Sequence, residues 1–80
     1  MHHYVYILKC ADDTYYTGIA KNLRKRIEEH KNAESKSTSP RLPIKLIWFC
    51  AFTDQILAAK FEIYLKSHSG RRFRERFILK

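Results

Sequence analysis

Five side chains in this sequence have the chemistry that acts on a phosphodiester bond. They are Tyr6, Tyr16, Arg26, His30 and Glu62. Hydrolysis of that bond needs groups that move protons and a positive charge that stabilises the phosphate. Tyrosine and histidine move protons, arginine binds two phosphate oxygens at once, and a carboxylate holds a divalent cation. These residue types indicate a site for one phosphate group, although tyrosines in strands commonly pack in a core and a helical glutamate is commonly a surface charge.

The spacing of four of these residues predicts that they lie together. Arg26 and His30 stand in an i, i+4 relation, so they face the same side of a helix. Tyr6 and Tyr16 lie in two runs that read as the paired strands of one hairpin. Glu62 comes from a later predicted helix, where it lies on or beside the apolar stripe. The hairpin and first helix therefore provide most of the site, and the later helix completes it.

The elements that position these residues begin with the hairpin. Residues 4–10 (YVYILKC) and 15–19 (YYTGI) are rich in aromatic and β-branched side chains, which favours strands, and residues 12–14 supply the turn. Both faces of the first strand are largely apolar, which predicts a central strand covered on each side. Asn22 is a good N-cap for a helix whose apolar positions are Leu23 and Ile27.

A long polar loop and a third strand follow. Residues 31–43 (KNAESKSTSPRLP) are rich in serine and punctuated by prolines, so we expect one loop with hydroxyls and cations suited to phosphate contacts. An ordinary solvated loop is the alternative. Residues 44–52 (IKLIWFCAF) are the strongest strand prediction in the chain, because they combine aromatic and branched side chains.

The end of the chain predicts two more helices. Thr53 or Asp54 can cap the first, which runs to about Ser67. Residues 69–70 (SG) are expected to break the run, and residues 71–79 resume a helical pattern. The positions predicted to face inward are Leu57, Ala58, Phe61, Leu65, Phe73 and Phe77. Four arginines make the last helix strongly positive, either as a solvated face or as a phosphate-binding face.

Length and charge limit what the chain can be. Eighty residues predict one domain, residues 1–80, with room for a single sheet and a few helices. A net charge of +8 favours a polyanionic partner, nucleic acid above all. No apolar run reaches the length of a membrane span, and we expect a cytoplasmic protein. Cys10 and Cys50 are expected to be free buried thiols in a reducing compartment, with a disulfide as the lesser alternative.

Several short stretches together resemble one family of enzymes. Residues 4–6 (YVY) and 16–18 (YTG) stand where that family has its GIY and YIG triplets, and residues 18–30 look like its G-x-x-x-[DN]-L-x-x-R-x-x-x-H helix. Residues 61–66 resemble its later E-x-x-x-K element, and residues 69–71 resemble the closing segment of its stand-alone subgroup. On these motifs the chain resembles the GIY-YIG endonuclease superfamily, in particular small stand-alone members similar to the N-terminal domain of the excinuclease nuclease subunit.

The resemblance implies an α/β (α+β) fold, with a small three-stranded, mainly antiparallel sheet flanked by about three helices. It also implies a metal-dependent endonuclease that hydrolyses DNA, structure-directed or weakly specific, in repair or recombination. Tyr6 would be the general base with Tyr16 as its partner, and Arg26 would stabilise the phosphate. His30 would assist proton transfer or hold the phosphate, and Glu62 would ligate one Mg²⁺ or Mn²⁺. Because a tyrosine has a pKa near 10, Arg26 and the metal would have to favour the phenolate.

Other positions follow from the resemblance and the charge pattern. Gly18 is the structural glycine that closes the second triplet. The residues expected to contact nucleic acid are Lys21, Lys36, Arg41, Lys66, Arg71, Arg72 and Arg74. The sequence departs from the family at Tyr4, Val5 and Thr17, and it has no clear equivalent of an asparagine that some relatives carry near the end of the domain. We expect no additional DNA-binding domain, so specificity would come from this surface or from a protein partner.

Two other functions fit parts of the sequence. A nucleic-acid-binding module that keeps the fold with little or no turnover is consistent with the basic C-terminal segment and the missing asparagine. A zinc site built from Cys10, His30, Cys50 and His68 is disfavoured, because the spacing of these residues is irregular and the cysteines lie in apolar runs.

Overall fold

A computed structural model describes residues 2–79 of the protein as one three-stranded sheet with helices on both faces. The strands are β1 (His3–Cys10), β2 (Tyr15–Ala20) and β3 (Ile44–Phe52). The helices are α1 (Leu23–Lys31), α2 (Gln55–Lys66) and α3 (His68–Phe77), and Ser39–Arg41 form a 3₁₀ turn. Strand order is β2-β1-β3 and both pairings are antiparallel, which confirms the predicted α+β fold.

The central strand β1 separates two apolar layers. Tyr6 and Leu8 pack under α1, while Val5 and Ile7 pack under α2 and α3, and all four are fully buried. Cover on both faces explains why this strand is apolar on both sides, as the sequence predicted. The other two strands pair only with β1, so β2 and β3 are the edges of the sheet.

The two cysteines belong to opposite layers. Cys10 is buried in the layer beneath α1, whereas Cys50 is half-buried against the layer beneath α2 and α3. Both thiols are free, and the sheet lies between the two layers. Among residues 2–79, no three His, Cys, Asp or Glu side chains gather in a metal-binding group, so the zinc reading gains no support. Within the same range, no helix is long and apolar enough to cross a membrane.

Local capping positions the first helix and the hairpin. The side chain of Asn22 accepts a hydrogen bond of 3.1 Å from the backbone N–H of Lys25, as expected of an N-cap. In the turn, the carboxylate of Asp12 accepts a 3.1 Å bond from the N–H of Thr14, and Asp13 takes a positive φ of 65°. Aspartate tolerates that left-handed conformation better than most residues, which is the reason for its frequency in turns.

The inward face of the last two helices differs from the prediction at two positions. Ala58 and Leu65 are fully buried, and Phe61 and Phe73 pack against the same layer, as expected. Leu57 is 53% exposed because the helical period of 3.6 residues places it at the margin of the stripe that these residues form. Phe77, at the last position of α3, is 66% exposed, although its ring lies 5.2 Å from that of Phe73.

The break between these helices is at Ser67, and the predicted break at residues 69–70 is wrong. The hydroxyl of Ser67 donates to the carbonyl of Tyr64 and accepts from the N–H of Gly70 at 3.2 Å, so one residue ends α2 and caps α3. Gly70 lies inside α3 and is buried. A methyl group there would overlap the Tyr64 carbonyl oxygen and approach within 2.6 Å of Leu65 Cα. Glycine permits the two helices to meet closely rather than ending one of them.

Gly70→Ala is therefore expected to lower the free energy of unfolding by about 1–3 kcal/mol, the usual cost of overpacking. Alanine favours a helix by about 1 kcal/mol relative to glycine, but the overlapping atoms are backbone and cannot rotate away. Urea denaturation measures the change. Ser69→Ala, at the adjacent exposed position of the same helix, is the control and should shift stability by less than about 0.5 kcal/mol. An equally stable Gly70→Ala protein would contradict the close approach.

Candidate active site

A buried chain of three polar side chains lies where β1 passes beneath α1. The hydroxyl of Tyr6 is 2.9 Å from Nε2 of His30, and Nδ1 of His30 is 2.7 Å from the hydroxyl of Thr38. All three side chains are fully buried. Because a buried polar atom without a partner costs about 1–3 kcal/mol, each member requires the next, and the strand, helix and loop are tied at one point.

Thr38 is the residue that the sequence did not single out for this role. The loop hydroxyls were expected to contact phosphates, but Thr38 and Ser35 are buried, and Thr38 binds His30 across eight positions of chain. A threonine in a serine-rich loop gives no local signal of burial, since the same composition suits a solvated loop. Only the path of the loop back to α1 reveals the contact.

Two proton arrangements satisfy both bonds of the chain. In one, the Tyr6 O–H donates to Nε2 and the Nδ1–H donates to Thr38. In the other, the Thr38 O–H donates to Nδ1 and the Nε2–H donates to Tyr6. The first leaves His30 ready to take a proton from Tyr6, and Thr38 then steadies the charged ring by accepting from Nδ1–H.

The environment keeps Tyr6 and His30 neutral in the free protein. Burial, followed by the neighbouring Tyr16, raises the pKa of Tyr6 to about 12. The nearby guanidinium of Arg26 acts in the opposite direction but does not overcome burial, so its charge alone does not favour the phenolate as the sequence analysis required. Burial and then the charge of Arg26 lower the pKa of His30 below its ordinary 6.5.

Gly18 makes room for the Tyr6 hydroxyl. It pairs directly with Tyr6 across β1 and β2, and a methyl group on it would lie 2.5 Å from the Tyr6 Oη and 2.9 Å from the ring of Tyr16. Glycine is needed here for close approach of a side chain and not for unusual backbone angles. The Tyr16 ring is centred 5.1 Å from His30 and 6.2 Å from Tyr6, which places both predicted tyrosines against the same imidazole.

Arg26 lies beside the Tyr6–His30–Thr38 hydrogen-bond chain and forms an ion pair with Glu29. Its Nη1 donates a 2.9 Å hydrogen bond to the Glu29 carboxylate, and each side chain is about one third exposed. That bond, the largest influence, raises the pKa of the Arg26 guanidinium, to which the nearby Tyr6 and Tyr16 also contribute. The partnership of Glu29 with Arg26 could have been read from the i, i+3 spacing, which brings side chains together on a helix.

Glu62 reaches the same region from α2. Its side chain is 17% exposed, its Oε2 lies 2.8 Å from the ammonium of Lys66, and its charge contributes to the raised pKa of Tyr6. One carboxylate in a partly open position suits Mg²⁺, which keeps several waters and uses one or two carboxylates together with substrate phosphates. Glu62 therefore fits a divalent cation that shares its coordination with substrate.

The predicted nucleic-acid contacts are divided among five places. Lys66, Arg71 and Arg74 line a pocket beside Tyr16, whereas Lys21 lines a separate groove between α1 and β3. Lys36 and Arg72 are exposed away from both cavities. Arg41 bonds to the Ser37 carbonyl at 2.7 and 3.1 Å and to the Thr14 hydroxyl at 2.8 Å, so it fastens the loop to the hairpin turn.

Comparison with known proteins agrees with this fold. The class of catalytic domains that the chain matches is generally composed of endonucleases. The family model described as the GIY-YIG catalytic domain matches residues 2–76, and the chain belongs to that family.

Its relatives are small proteins of similar length. The chain is 46% identical over 65 residues to a UPF0213 protein of Clostridium perfringens, covering 80% of this chain and 70% of that protein. It is 40% identical over 77 residues to a UPF0213 protein of Natronomonas pharaonis, covering 95% and 89%. The solution NMR structure of a UPF0213 protein from Bacillus halodurans is similar at a TM-score of 0.60 and 38% identity, covering 95% of this chain and 81% of that one.

The lowered pKa of His30 predicts a pH dependence of stability. The unfolded chain protonates this histidine at about pH 6.5, whereas the folded protein does so only at lower pH. The unfolded state therefore binds more protons in that window, and stability falls as pH drops below 6.5 toward the lowered pKa, by at most about 1.4 kcal/mol per pH unit. Urea midpoints measured from about pH 7.5 to about pH 5 should show this slope.

His30→Gln should flatten that slope while lowering stability overall. The control is His68→Gln, at an exposed position at the start of α3, which should leave the slope unchanged. A wild-type slope that survives His30→Gln would assign the pH dependence to another group.

Proposed function

We propose that the protein is a metal-dependent endonuclease that hydrolyses phosphodiester bonds of DNA, structure-directed or weakly specific, in repair or recombination. One observation carries the proposal: in a member of the GIY-YIG family, the buried Tyr6–His30–Thr38 chain lies near enough to Arg26 and Glu62 for both charges to affect the pKa of Tyr6. The +8 net charge supports a nucleic-acid substrate, and a protein partner and a cytoplasmic setting are part of the same proposal.

Tyr6 and His30 supply the proton transfer. Because the pKa of Tyr6 is raised to about 12 and that of His30 lies below its ordinary value, the proton stays on Tyr6 in the free protein. A divalent cation held at Glu62 would supply the further positive charge that the phenolate needs. The Tyr6 proton then passes to Nε2 of His30, and Tyr6 accepts a proton from the attacking water. The water oxygen bonds to phosphorus as the bond to the leaving oxygen breaks. The leaving oxygen then takes one proton from solvent, and His30 releases its extra proton to solvent.

Arg26 and Glu62 supply the charge that this reaction needs. The fork of Arg26 can bind two non-bridging oxygens of the phosphate once it is shared with, or released from, Glu29. Glu62 would hold the divalent cation, which when bound stabilises negative charge on the phosphate and the leaving oxygen. Tyr16 packs against His30 and keeps the imidazole beside Tyr6.

A binding module with little or no turnover is the second candidate. It is favoured by one specific observation: both charged groups that the reaction needs are paired within their own helices, Arg26 with Glu29 and Glu62 with Lys66. A protein that kept these pairs on DNA would bind without cutting. Salt-dependent DNA binding without nicking in either Mg²⁺ or Mn²⁺ would favour this candidate.

Cleavage of supercoiled plasmid and of branched DNA is expected in Mg²⁺ or Mn²⁺ and not in EDTA. Glu62→Gln keeps the size of the side chain and removes its charge, so nicking should fall at least about 100-fold, a loss of about 2.7 kcal/mol of transition-state stabilisation. Glu75→Gln, at an exposed carboxylate of α3, is the matched control and should nick at the wild-type rate. Activity in EDTA, or equal rates for the two variants, would contradict a metal at Glu62.

Tyr6→Phe tests the proton transfer. The change removes only the buried hydroxyl, and loss of a general base or acid typically costs 10²–10⁴-fold in rate. Nicking should fall within that range, while DNA affinity changes by less than about twofold because the change removes no charge that attracts the phosphate backbone. Tyr64→Phe, at a partly exposed tyrosine of α2, should retain full activity. If Tyr6→Phe cuts at the wild-type rate, Tyr6 has no role in proton transfer.

A further inference from the structure

A second polar pocket lies at the edge formed by β2, next to the candidate active site. It has a volume of about 220 Å³. Its lining consists of three cations and three hydroxyl-bearing residues, namely Lys66, Arg71, Arg74, Tyr15, Tyr16 and Thr17. No carboxylate is among these lining residues, so the pocket concentrates positive charge beside hydroxyl donors. Hydroxyls and cations in such a group are the usual partners of phosphate oxygens.

Arg74 carries hydrogen-bonding capacity that the described chain does not use. Its Nε is buried and has no hydrogen-bond partner among residues 2–79, and its Nη1 makes only a long 3.4 Å contact with the hydroxyl of Thr17. Burial, followed by the charge of Arg71, lowers the pKa of Arg74, with a smaller opposing effect from Glu75. A buried N–H without an acceptor is costly, and an anion in the pocket would supply an acceptor to this guanidinium.

Lys66 connects this pocket to the proposed metal ligand. Its ammonium lies 2.8 Å from Oε2 of Glu62, and the same side chain lines the pocket. Lys66 is half exposed and has a flexible stem, so it can turn toward either negative group. While it stays on Glu62, its positive charge opposes a cation at that carboxylate. An anion in the pocket would draw it away.

We propose that this pocket binds a second phosphate group of the nucleic acid, apart from the one cleaved, and that Lys66 couples its occupancy to cation binding at Glu62. The inference rests on the proposed function, because it assigns a further contact of the same substrate. Binding of the phosphate and binding of the cation then strengthen each other by the same factor, as linkage requires. Cleavage thereby depends on a strand that fills both positions.

The coupling is tested by titrating the protein with Mn²⁺ and following the paramagnetic signal of the free ion, with and without sulfate. Sulfate serves as the probe because it has the tetrahedral oxygens of a phosphate group. Sulfate should tighten Mn²⁺ binding about two- to fivefold, the range expected from a partly exposed ion pair. Lys66→Met should bind Mn²⁺ more tightly without sulfate and lose the response. Equal Mn²⁺ affinity in all these conditions would overturn the coupling.

The pocket is tested with a matched pair of arginines on α3. Arg74→Gln should abolish the effect of sulfate on Mn²⁺ binding, whereas Arg72→Gln, exposed and outside the pocket, should retain it. Arg71→Gln, also exposed, is a second pocket variant should Arg74→Gln fail to fold, and it should weaken the effect. If sulfate changes Mn²⁺ binding equally in Arg72→Gln and in the pocket variants, the effect comes from general surface charge and the proposal is overturned.

Two DNA strands of one sequence distinguish a phosphodiester within the strand from a terminal phosphate as the bound group. One strand ends in hydroxyls, and the other carries a 5′-phosphate. If Arg74→Gln weakens binding of both strands more than Arg72→Gln does, the pocket takes a phosphodiester within the strand. If only the phosphorylated strand responds, it takes a terminal phosphate. If Arg74→Gln and Arg72→Gln bind each strand with equal affinity, the proposal that the pocket binds a phosphate is overturned. These measurements need no cleavage, so an inactive protein with intact coupling contradicts the nuclease proposal alone.

Discussion

The hydroxyl of Tyr6 is the constraint on which the site depends. It lies in the middle of the central strand, fully buried, where an unpaired hydroxyl would be costly. His30 satisfies it from α1, Thr38 satisfies His30 from the long loop, and Gly18 leaves the space that the hydroxyl occupies. Strand, helix, loop and hairpin therefore fit together around one polar atom, which stabilises the fold and places a proton donor and its acceptor in contact.

Charge at the site is balanced inside single helices. Arg26 pairs with Glu29 in α1, and Glu62 pairs with Lys66 in α2. Partly exposed pairs of this kind contribute only about 0–1 kcal/mol, so a phosphate or a divalent cation can displace them at little cost. Burial keeps Tyr6 protonated and His30 neutral in the free protein. In the function proposed above, substrate and cation change that balance together.

Much of the fold was predictable because its signals are local. Aromatic and β-branched runs identified three strands, side-chain caps at Asn22 and Asp54 began two helices, and apolar residues on both faces identified the central strand. The errors were of a different kind. Gly70 was read as a helix breaker, whereas it allows two helices to meet, and Phe77 was assigned to the core by period alone. The helical period shows which side of a helix a residue faces. It does not show how far the opposing layer of side chains extends.

The sequence by itself determined which residues have phosphate chemistry and that Arg26 and His30 share one face of a helix, because neighbours along a helix are fixed by its geometry. Only the tertiary structure decided that Thr38 orients His30, that burial keeps Tyr6 protonated, and that Arg74 reaches Thr17 across 57 positions of chain. These contacts join different segments of the chain, and no periodic pattern in the sequence indicates which segments meet. Burial depends on what covers a residue from elsewhere in the chain, and no local pattern records it.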